Sequence, residues 1–324
     1  MHVASIVVPA FNVSATVSET LDALLAQTFK EFEIIVVDDG STDATPEILD
    51  TYAGDPRVRI IHQRNRGLAG ARNTGIDAAQ GLAIGFCDAD DIWEPSKLET
   101  HIEHLLDRPD VGVSYSGSAL IDDDGADMGL AQRPRLHRVT AAHVLKRNPI
   151  GNGSAAVIRR EVFRDIAYRP SCERTRNWYF DETFRQSEDI ECWLRIALTT
   201  DWGIEGVEGR LTRYRINSGG LSAATGDQLA SWERMVAKLT ALRPAFFARH
   251  GRAARAYQLR YLARRAISDL DADRAMEMVK ASFNQSIMPL FEEPIKTLTT
   301  LGAALVLRFG GQSALAVLMR KNGG

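Results

Sequence analysis

The sequence predicts an α/β fold in which a mostly parallel, open sheet is flanked by helices and followed by a helical C-terminal region. Apolar runs and amphipathic segments alternate between residues 5 and 115, a rhythm typical of a parallel sheet with helices on both faces. Three of the apolar runs end abruptly in polar turns, as strands do at the ligand-binding edge of such a sheet. From residue 231 onwards the apolar spacing is helical instead.

The individual elements follow from local patterns. Short apolar, β-prone runs predict strands over residues 5–8, 32–37, 58–61, 82–87 and 111–115. Val17, Leu21 and Leu24 lie at helical spacing and predict the first helix. Further helices are predicted over residues 46–52, in the stretch that ends at Gly81, over 96–106 and from Ile190 onwards.

Composition limits the classes of protein that the chain can represent. Its 324 residues suggest one large domain or two smaller ones. The formal net charge of −3 excludes a generally polybasic nucleic-acid binder. The three cysteines, Cys87, Cys172 and Cys192, are far apart and indicate free thiols in a reducing compartment. The first residues run straight into a strand without a signal-peptide pattern, so we expect a cytoplasmic location.

A cluster of carboxylates follows the apolar run over residues 82–87. Asp88, Asp90 and Asp91 lie within four positions, and carboxylates this close repel each other unless a cation or a hydrogen-bond network holds them. Mg²⁺ or Mn²⁺ beside a phosphorylated substrate is the natural partner of such oxygen ligands. The alternative is a solvated acidic turn that caps the next helix.

Two other strands of the predicted sheet also end in polar turns. These turns have the sequences PAFN, beginning at Pro9, and DDGSTD, beginning at Asp38. Because parallel strands share one carboxyl edge, we expect the three turns to converge in space. The chain has no GxGxxG after its first strand and no Walker A loop, which argues against a dinucleotide-binding domain and a P-loop NTPase.

Four segments together resemble the nucleotide-sugar-binding half of family 2 glycosyltransferases. They are VVPAFN, DDGSTD, NRGLAGARNTGIDAAQG and FCDADDIWEP, in this order and at these intervals. The resemblance is close over about residues 3–116 and looser to about 222, and it implies a GT-A fold and an inverting reaction. It predicts a catalytic domain over 1–223, with a nucleotide-sugar half at 1–116 and an acceptor and base half at 117–223. A helical, basic region would follow over 224–324.

The resemblance also implies roles for residues of the donor site. The nucleoside would contact Pro9, Ala10, Phe11, Asn12 and Asp39. Asp39 would accept from a uracil-type imide, which favours a UDP- or dTDP-sugar. Arg66 and Arg72 would offset the charge of the diphosphate, although each could instead form an ordinary surface ion pair. In the DXD motif Asp88-Ala89-Asp90, Asp88 would contact ribose or metal, and Asp90 would be the principal ligand of Mn²⁺ or Mg²⁺.

The acceptor side is expected from the middle of the chain, with Gly151 and Asn152, and from Trp93. The resemblance places the general base of inverting enzymes at the Glu188–Asp189 pair, and we take Asp189 as the base with Glu188 in reserve. The alternative is that both acids only complement the dipole of the helix that follows.

Two departures from the family pattern affect the expected chemistry. Asn217 stands where a histidine is common in the loop over the diphosphate, and an amide oxygen is a weaker metal ligand than imidazole. The QxxRW signature of processive synthases does not occur in the chain. Transfer of a single sugar is therefore the better interpretation.

The C-terminal third is basic and helical, with 15 Lys and Arg against 8 Asp and Glu from residue 224 onwards. Its arginine-rich stretch over residues 231–267 is either a solvated helical face or a surface attracted to anionic lipid or to a phosphate-bearing acceptor. The apolar stretch over 297–307 is followed by Arg308 and by Gly310-Gly311. It could pack on the domain, pair with a second subunit to form a homo-oligomer, or lie in a membrane interface.

The sequence thus predicts a metal-dependent, inverting and non-processive glycosyltransferase acting in cell-surface polysaccharide or glycoconjugate synthesis. Its donor would be a nucleotide-diphosphate sugar, and its acceptor a glycan, a lipid-linked saccharide or a small metabolite. A sugar nucleotidyltransferase and a non-catalytic nucleotide-sugar-binding or scaffold module are the alternatives. The first of these would require a Gly-rich basic loop after the first strand, where PAFN stands.

Overall fold

The computed structural model describes residues 2–173, 175–216 and 225–322. Its strands are β1 (Ala4–Ala10), β2 (Phe32–Asp38), β3 (Val58–His62), β4 (Ala83–Phe86), β5 (Ile92–Trp93), β6 (Val111–Ile121), β7 (Asp127–Gln132), β8 (Ala156–Arg159) and β9 (Gly203–Arg215). Its helices are α1 (Val17–Leu25), α2 (Thr45–Asp50), α3 (Gly67–Ala78), α4 (Lys97–Asp107), α5 (Ala141–Lys146), α6 (Arg160–Ile166), α7 (Glu188–Thr199), α8 (Thr225–Thr240), α9 (Pro244–Ser268), α10 (Ala272–Gln285), α11 (Met288–Glu292) and α12 (Pro294–Asn322). A short 3₁₀ turn, Gly153–Ala155, precedes β8.

All strands belong to one sheet with the order β3-β2-β1-β4-β8-β6-β9-β5, and β7 pairs with β6 at the side. The strands β1 to β4 are mutually parallel, whereas β8 runs antiparallel to both β4 and β6. The predicted fold class, an α/β sheet flanked by helices with a helical C-terminal region, is confirmed. The strand boundaries differ from the predicted ones by up to six residues, the largest difference being at the end of β6.

The pairing of β1 with its two neighbours sets the position of the polar turns. Ala10 stands opposite Asp38 on β2, and Val7 stands opposite Phe86 on β4. Every residue of β1, β2 and β4 is buried, so the apolar runs continue until they reach the edge of the sheet. The turns after β1, β2 and β4 therefore emerge at the same edge.

Strands from later in the chain also hold the acidic turn that lies between β4 and β5. Ile92 of β5 stands opposite Arg213 on β9, in an antiparallel pair. The parallel partner of β9 is β6, and the central strand β8 links β6 to β4. The acidic turn between β4 and β5 is therefore held at both ends, because β4 pairs with β8 and β5 pairs with β9, two strands from later in the chain.

Contacts divide the chain into two compact units. The first unit comprises Met1–Val144 and Asn148–Ala223, and the second comprises Leu145–Arg147 and Ala224–Gly324. The first unit contains the whole sheet and a core made of buried residues from β1, β2, α1 and α4.

The second unit consists of helices α8 to α12 around a small core that includes Ala263, Ala275 and Leu307. The predicted helical stretch over residues 231–267 is two helices, because Pro244 begins α9 and suits the first position of a helix. The predicted interruption after Arg308 is a kink in α12 at Gly311, whose φ of 71° is left-handed. Among the residues that the structure describes, no helix is both long enough and apolar enough to cross a membrane.

Candidate active site

The turns after β1 and β2 are joined by side-chain hydrogen bonds. The Oδ1 atom of Asn12 accepts from the backbone N–H of Thr42 at 2.8 Å, and the N–H of Asn12 donates to Ser41 Oγ at 3.0 Å. Asn12 has a left-handed backbone with φ of 52°, a conformation that asparagine tolerates better than most residues. The structure thus brings these two predicted turns together at the sheet edge.

Of the four residues in the PAFN turn, only the last two face solvent. Pro9 and Ala10 are buried within β1, whereas the Phe11 side chain is 48% exposed and Asn12 is exposed. A nucleoside at this edge would therefore meet the side chains of Phe11 and Asn12, and the other two residues would shape the turn beneath it.

Asp39 is buried and accepts three hydrogen bonds from the segment that begins α3. Its Oδ1 atom accepts from the N–H of Arg66 at 2.8 Å and from Gln63 Nε2 at 2.6 Å. Its Oδ2 atom accepts from the N–H of Gly67 at 2.7 Å. The carboxylate therefore satisfies free backbone donors at the start of α3, a function for which acidic residues are well suited.

Asp38 braces the same turn from inside. Its carboxylate accepts from the N–H of Ser41 at 3.0 Å and lies 2.9 Å from His62 Nδ1. Burial works against ionisation here, but these hydrogen bonds outweigh it and hold the pKa of Asp38 below its usual value.

Arg72 connects the end of β4 to the beginning of α7. Its side chain is only 2% exposed, and its two terminal nitrogens donate to Asp88 Oδ1 at 2.8 Å and to Glu188 Oε1 at 2.9 Å. The guanidinium lies over the ring of Phe180, 5.4 Å from the centroid. A side chain at Gly153 would collide with the guanidinium, so glycine is required there for the close approach.

Both predicted arginines are bound by carboxylates, and their predicted contact with a diphosphate stays a prediction. Arg72 is a buried bridge between the two carboxylate groups of the site rather than a surface residue open to a diphosphate. Arg66, with one third of its side chain exposed, forms ion pairs with Glu173 at 3.0 Å and with Glu182 at 3.1 Å. A diphosphate at Arg66 would compete with these two pairs.

The acidic turn after β4 is held by Ser154. The N–H of Asp88 donates to Ser154 Oγ at 2.9 Å, and this hydroxyl donates to Asp91 Oδ2 at 2.5 Å. The other carboxylate oxygen of Asp91 accepts from the N–H of Arg215 at 2.9 Å. Asp91 is thus turned inward and fully buried, while Asp88 remains partly exposed.

Asp91 is crowded by like charges. Burial, followed by the negative charges of Asp90 and Asp88, raises the pKa of Asp91 well above its usual value. A cation bound beside Asp88 and Asp90 would relieve this repulsion, and carboxylate oxygens are ligands that Mg²⁺ and Mn²⁺ prefer. These two residues therefore fit a divalent ion.

The protein would supply only part of the coordination shell of such an ion. Among the described residues, no group of three or more His, Cys, Asp or Glu side chains is arranged to hold a metal. Mg²⁺ commonly binds through one or two carboxylates and completes its shell with water and substrate phosphates, so two aspartates are compatible with it. Asn217, the third predicted ligand, lies outside the described residues.

Glu188 and Asp189 form the first turn of α7, where the helix dipole favours negative charge. Glu188 is buried and Asp189 is half-buried. Burial raises the pKa of Glu188 to about 7, against the opposing effect of Arg72 and with a further increase from Asp189. Burial likewise raises the pKa of Asp189, again against the effect of Arg72. A carboxylate pair with pKa values shifted toward neutrality is suited to general base catalysis.

Trp93, predicted on the acceptor side, is buried. Its side chain is 1% exposed, its Nε1 donates to the carbonyl oxygen of Ser154 at 3.0 Å, and Lys97 Nζ lies 4.9 Å from the ring centroid. The pairing of β5 with β9 carries the indole into the core, and its predicted place on the acceptor side stays a prediction.

Gly151 and Asn152 lie in the loop before β8. Asn152 is buried, and its Nδ2 donates to Ser118 Oγ at 2.9 Å and to Gln132 Oε1 at 3.0 Å. Gly151 has a φ of 87° and approaches the same Gln132 side chain. Both residues thus shape the backbone that leads to Ser154, and their predicted contact with an acceptor stays a prediction.

Sequence reasoning did not identify three residues that hold the site together. They are Ser154, Arg215 and Glu182. Arg215 is 5% exposed, and its Nε donates to the carbonyl oxygen of Asp90 at 2.9 Å while its Nη2 contacts Glu19 at 2.6 Å. All three act across long sequence separations, and no local pattern distinguishes them from other polar residues.

Comparisons with known proteins identify the family of the chain. The family model described as glycosyl transferase family 2 matches residues 5–167, a range that contains the turns after β1, β2 and β4. The Escherichia coli protein WfaP, named as a UDP-Glc:alpha-D-GlcNAc-diphosphoundecaprenol beta-1,3-glucosyltransferase, is 30% identical over 228 residues, which are 69% of this chain and 81% of WfaP. For three other curated relatives, the chain spans only 26%, 33% and 52% of their length.

Two solved structures share the fold. TarS 1–349 of S. aureus in complex with UDP-GlcNAc superposes with a TM-score of 0.56 at 18% identity, over 94% of this chain and 81% of that one. The mannosyltransferase PcManGT of Pyrobaculum calidifontis, in complex with GDP-Man and Mn²⁺, gives a TM-score of 0.57 at 21% identity, over 99% of this chain and 86% of that one. The fold, the family match and the similarity to WfaP lead to one conclusion: the chain belongs to glycosyl transferase family 2.

Proposed function

We propose that the chain is an inverting, metal-dependent glycosyltransferase that moves a single sugar from a nucleotide-diphosphate donor to an acceptor hydroxyl. The observation that carries the proposal is the buried Arg72 bridge. It joins Asp88, at the donor edge of the sheet, to Glu188, which is beside the proposed base. One side chain thereby connects the carboxylate proposed to face the donor with the carboxylate next to the proposed base.

The reaction would be a single displacement. Asp189 accepts the proton of the acceptor hydroxyl, and the oxygen attacks the anomeric carbon from the face opposite the diphosphate. The bond from the anomeric carbon to the diphosphate oxygen breaks as the new bond forms, and the nucleoside diphosphate leaves with the electron pair. A divalent ion at Asp88 and Asp90, when bound, supplies positive charge next to this leaving group.

For the donor we propose a UDP- or dTDP-sugar. WfaP is named for UDP-Glc and TarS was solved with UDP-GlcNAc, whereas PcManGT was solved with GDP-Man and Mn²⁺. For the acceptor we propose a glycan or a lipid-linked saccharide, since the name of WfaP gives a diphosphoundecaprenol-linked sugar. Both carboxylate oxygens of Asp39 already accept from protein donors, so a base imide would have to share them.

The test compares release of nucleoside diphosphate by the wild-type chain, Asp189→Asn and Glu188→Gln, with a panel of UDP- and dTDP-sugars and Mn²⁺. Loss of a general base lowers the rate by roughly 10² to 10⁴-fold, and this loss is expected in Asp189→Asn. Glu188→Gln tests the reserve base in the same assay, because glutamine preserves the shape of Glu188; turnover lost in this variant but kept in Asp189→Asn would assign the base to Glu188. Donor affinity, measured by calorimetry, should be unchanged in both variants.

The proposed assignment of the base would be wrong if Asp189→Asn turned over at the wild-type rate. If the wild-type chain bound a donor but never released its nucleotide, with or without acceptor, the non-catalytic binding module would replace the transferase.

A further inference from the structure

The second unit exposes an apolar stripe on its last helices. We use "apolar stripe" for five residues: Phe291, Ile295, Leu298, Leu305 and Phe309. They are 70%, 80%, 55%, 38% and 82% exposed, respectively. The last four are spaced by three, seven and four positions along α12, and this spacing places them on one side of a helix with 3.6 residues per turn.

The opposite side of α12 is already used for packing. Its buried residues are Thr297, Thr300, Ala304 and Leu307. Ala304 and Leu307 belong to the core of the second unit together with residues of α9 and α10. The helix is therefore fixed along one face, and the apolar stripe on its other face is not needed to hold the unit together. A contiguous exposed apolar surface of this kind indicates an interaction site.

The net charge of the second unit indicates which kind of partner this surface binds. From Pro294 to the end the chain has four cationic residues and no acid, and the second unit as a whole has 17 Lys and Arg against 8 Asp and Glu, a formal charge of +9. Two such units would repel each other at this surface, whereas an anionic surface would attract it.

The cations nearest the stripe are already paired, but only weakly. Lys296 lies 3.3 Å from Glu293, and Arg308 lies 2.5 Å from Asp273. Lys296, Arg308 and Asp273 are 56%, 48% and 81% exposed, while Glu293 is 19% exposed, and pairs formed by such exposed cations contribute little to stability. The two cations can therefore exchange these carboxylates for other anionic groups.

We propose that the apolar stripe docks the chain onto the surface of an anionic lipid bilayer. In this arrangement α12 lies in the plane of the interface, with its apolar side chains at the boundary between head groups and acyl chains and with Lys296 and Arg308 beside the lipid phosphates. Phe291 and Phe309 provide large apolar surfaces for this boundary. The inference concerns a surface of the second unit alone and does not depend on the proposed transferase activity.

The experiment is co-sedimentation of the full chain with vesicles of phosphatidylcholine and phosphatidylglycerol, and with vesicles of phosphatidylcholine alone. The test variant is Ile295→Ser/Leu298→Ser/Phe309→Ser. The matched control is Leu82→Ser/Leu106→Ser/Leu130→Ser, whose leucines are 61%, 71% and 55% exposed in the first unit. Each side chain withdrawn from the interface should weaken binding by roughly tenfold, while the control should bind as the wild type does.

A second variant tests the role of charge without removing apolar surface. Lys296→Glu removes one cation and adds one anion, so it should bind anionic vesicles about thirtyfold less tightly, since each unit of charge near such a surface contributes about fivefold in affinity. Wild-type binding should weaken as salt is raised. The circular dichroism spectrum and the calorimetric affinity for a nucleotide donor should be unchanged in every variant. A variant that loses vesicle binding but keeps both has lost only the docking surface.

The proposal is overturned if the wild-type chain does not sediment with anionic vesicles, or if the test variant sediments as well as the wild type. It is also overturned if light scattering shows a wild-type dimer that the test variant converts to a monomer. In that case a second copy of the chain covers the stripe.

Discussion

Replacing Arg72 by methionine removes the positive charge between the two carboxylate groups of the site. Asp88 Oδ1 and Glu188 Oε1 would each lose a donor within 3 Å, and the arginine is 2% exposed. Removing one partner of a buried ion pair costs about 3–5 kcal/mol. Because the pKa of Glu188 is already about 7, Glu188 can take up a proton in the variant, and we expect the lower end of that range. At roughly 2–4 °C per kcal/mol, the thermal midpoint should fall by about 6–12 °C.

Thermal unfolding followed by circular dichroism measures this effect, with Arg108→Met as the matched control. Arg108 also contacts two carboxylates, Asp110 at 3.1 Å and Glu205 at 2.8 Å, but its side chain is 44% exposed. Water replaces such exposed contacts, so the control should lower the midpoint far less. Equal midpoints for Arg72→Met and Arg108→Met would refute the reasoning that burial makes the Arg72 bridge important.

The pH dependence of stability provides a second signature of the same bridge. The pKa of Glu188 is raised from 4.5 to about 7 in the folded chain, so the folded state keeps a proton that the unfolded state loses between these values. The free energy of unfolding contributed by Glu188 should therefore fall as pH rises from about 4.5 to about 7. In Arg72→Met the pKa of Glu188 rises further, and the decline should continue to higher pH.

Three further predictions concern the acidic turn and the base. Ser154→Ala leaves a carboxylate oxygen of Asp91 and the N–H of Asp88 unbonded, so it should lower the free energy of unfolding in urea by about 1–3 kcal/mol; an unchanged midpoint would contradict this. Asp90→Ala should abolish metal-dependent donor binding in calorimetry without unfolding the chain, and equal affinity with and without EDTA would contradict the role of Asp90 as a ligand. The kcat/KM of transfer should rise with pH up to about 7 and then level off, because the Glu188–Asp189 pair must lose its last proton to act as a base; a flat profile would exclude this pair.

The donor half of the sheet could be predicted from sequence because its signals are local. The apolar run over residues 32–37 matches β2, Phe32–Asp38, and its abrupt end at two aspartates locates the turn. Runs buried on both faces have little freedom in register, since a shift would place a polar turn in the core. The position of the three turns at one edge then follows from the parallel order of the strands.

The connections across the site could not be predicted in this way. Arg72 lies on the helix α3, where an arginine normally faces solvent, and only the packing of α7 against that region makes it a buried bridge. Ser154 is an ordinary loop residue until β8 carries it to the acidic turn. Such contacts depend on which distant residues the fold brings together. The local propensity of a residue gives no information about this.

In the C-terminal helices, too, the sequence predicts the helix but not which of its faces is buried. The spacing of Leu298, Leu301, Leu305 and Phe309 predicts a single helical stripe; in the structure Leu301 packs against the core of the second unit, whereas the other three residues are exposed. Apolar spacing alone does not determine whether such a stripe faces the core or solvent. Here Ala304 and Leu307 are buried, and Leu301 and Val306 pack against the same core, while Ile295, Leu298 and Phe309 remain exposed.

Calorimetric titration of the purified chain with UDP, dTDP and GDP, in Mn²⁺ and again in EDTA, tests the central claim most directly. Binding of UDP or dTDP that requires Mn²⁺ is the predicted result, because Asp88 and Asp90 would then bind the diphosphate through the ion. Binding that is equally tight in EDTA would contradict the metal-dependent donor site. Absence of binding by all three nucleotides in both conditions would contradict the donor site itself.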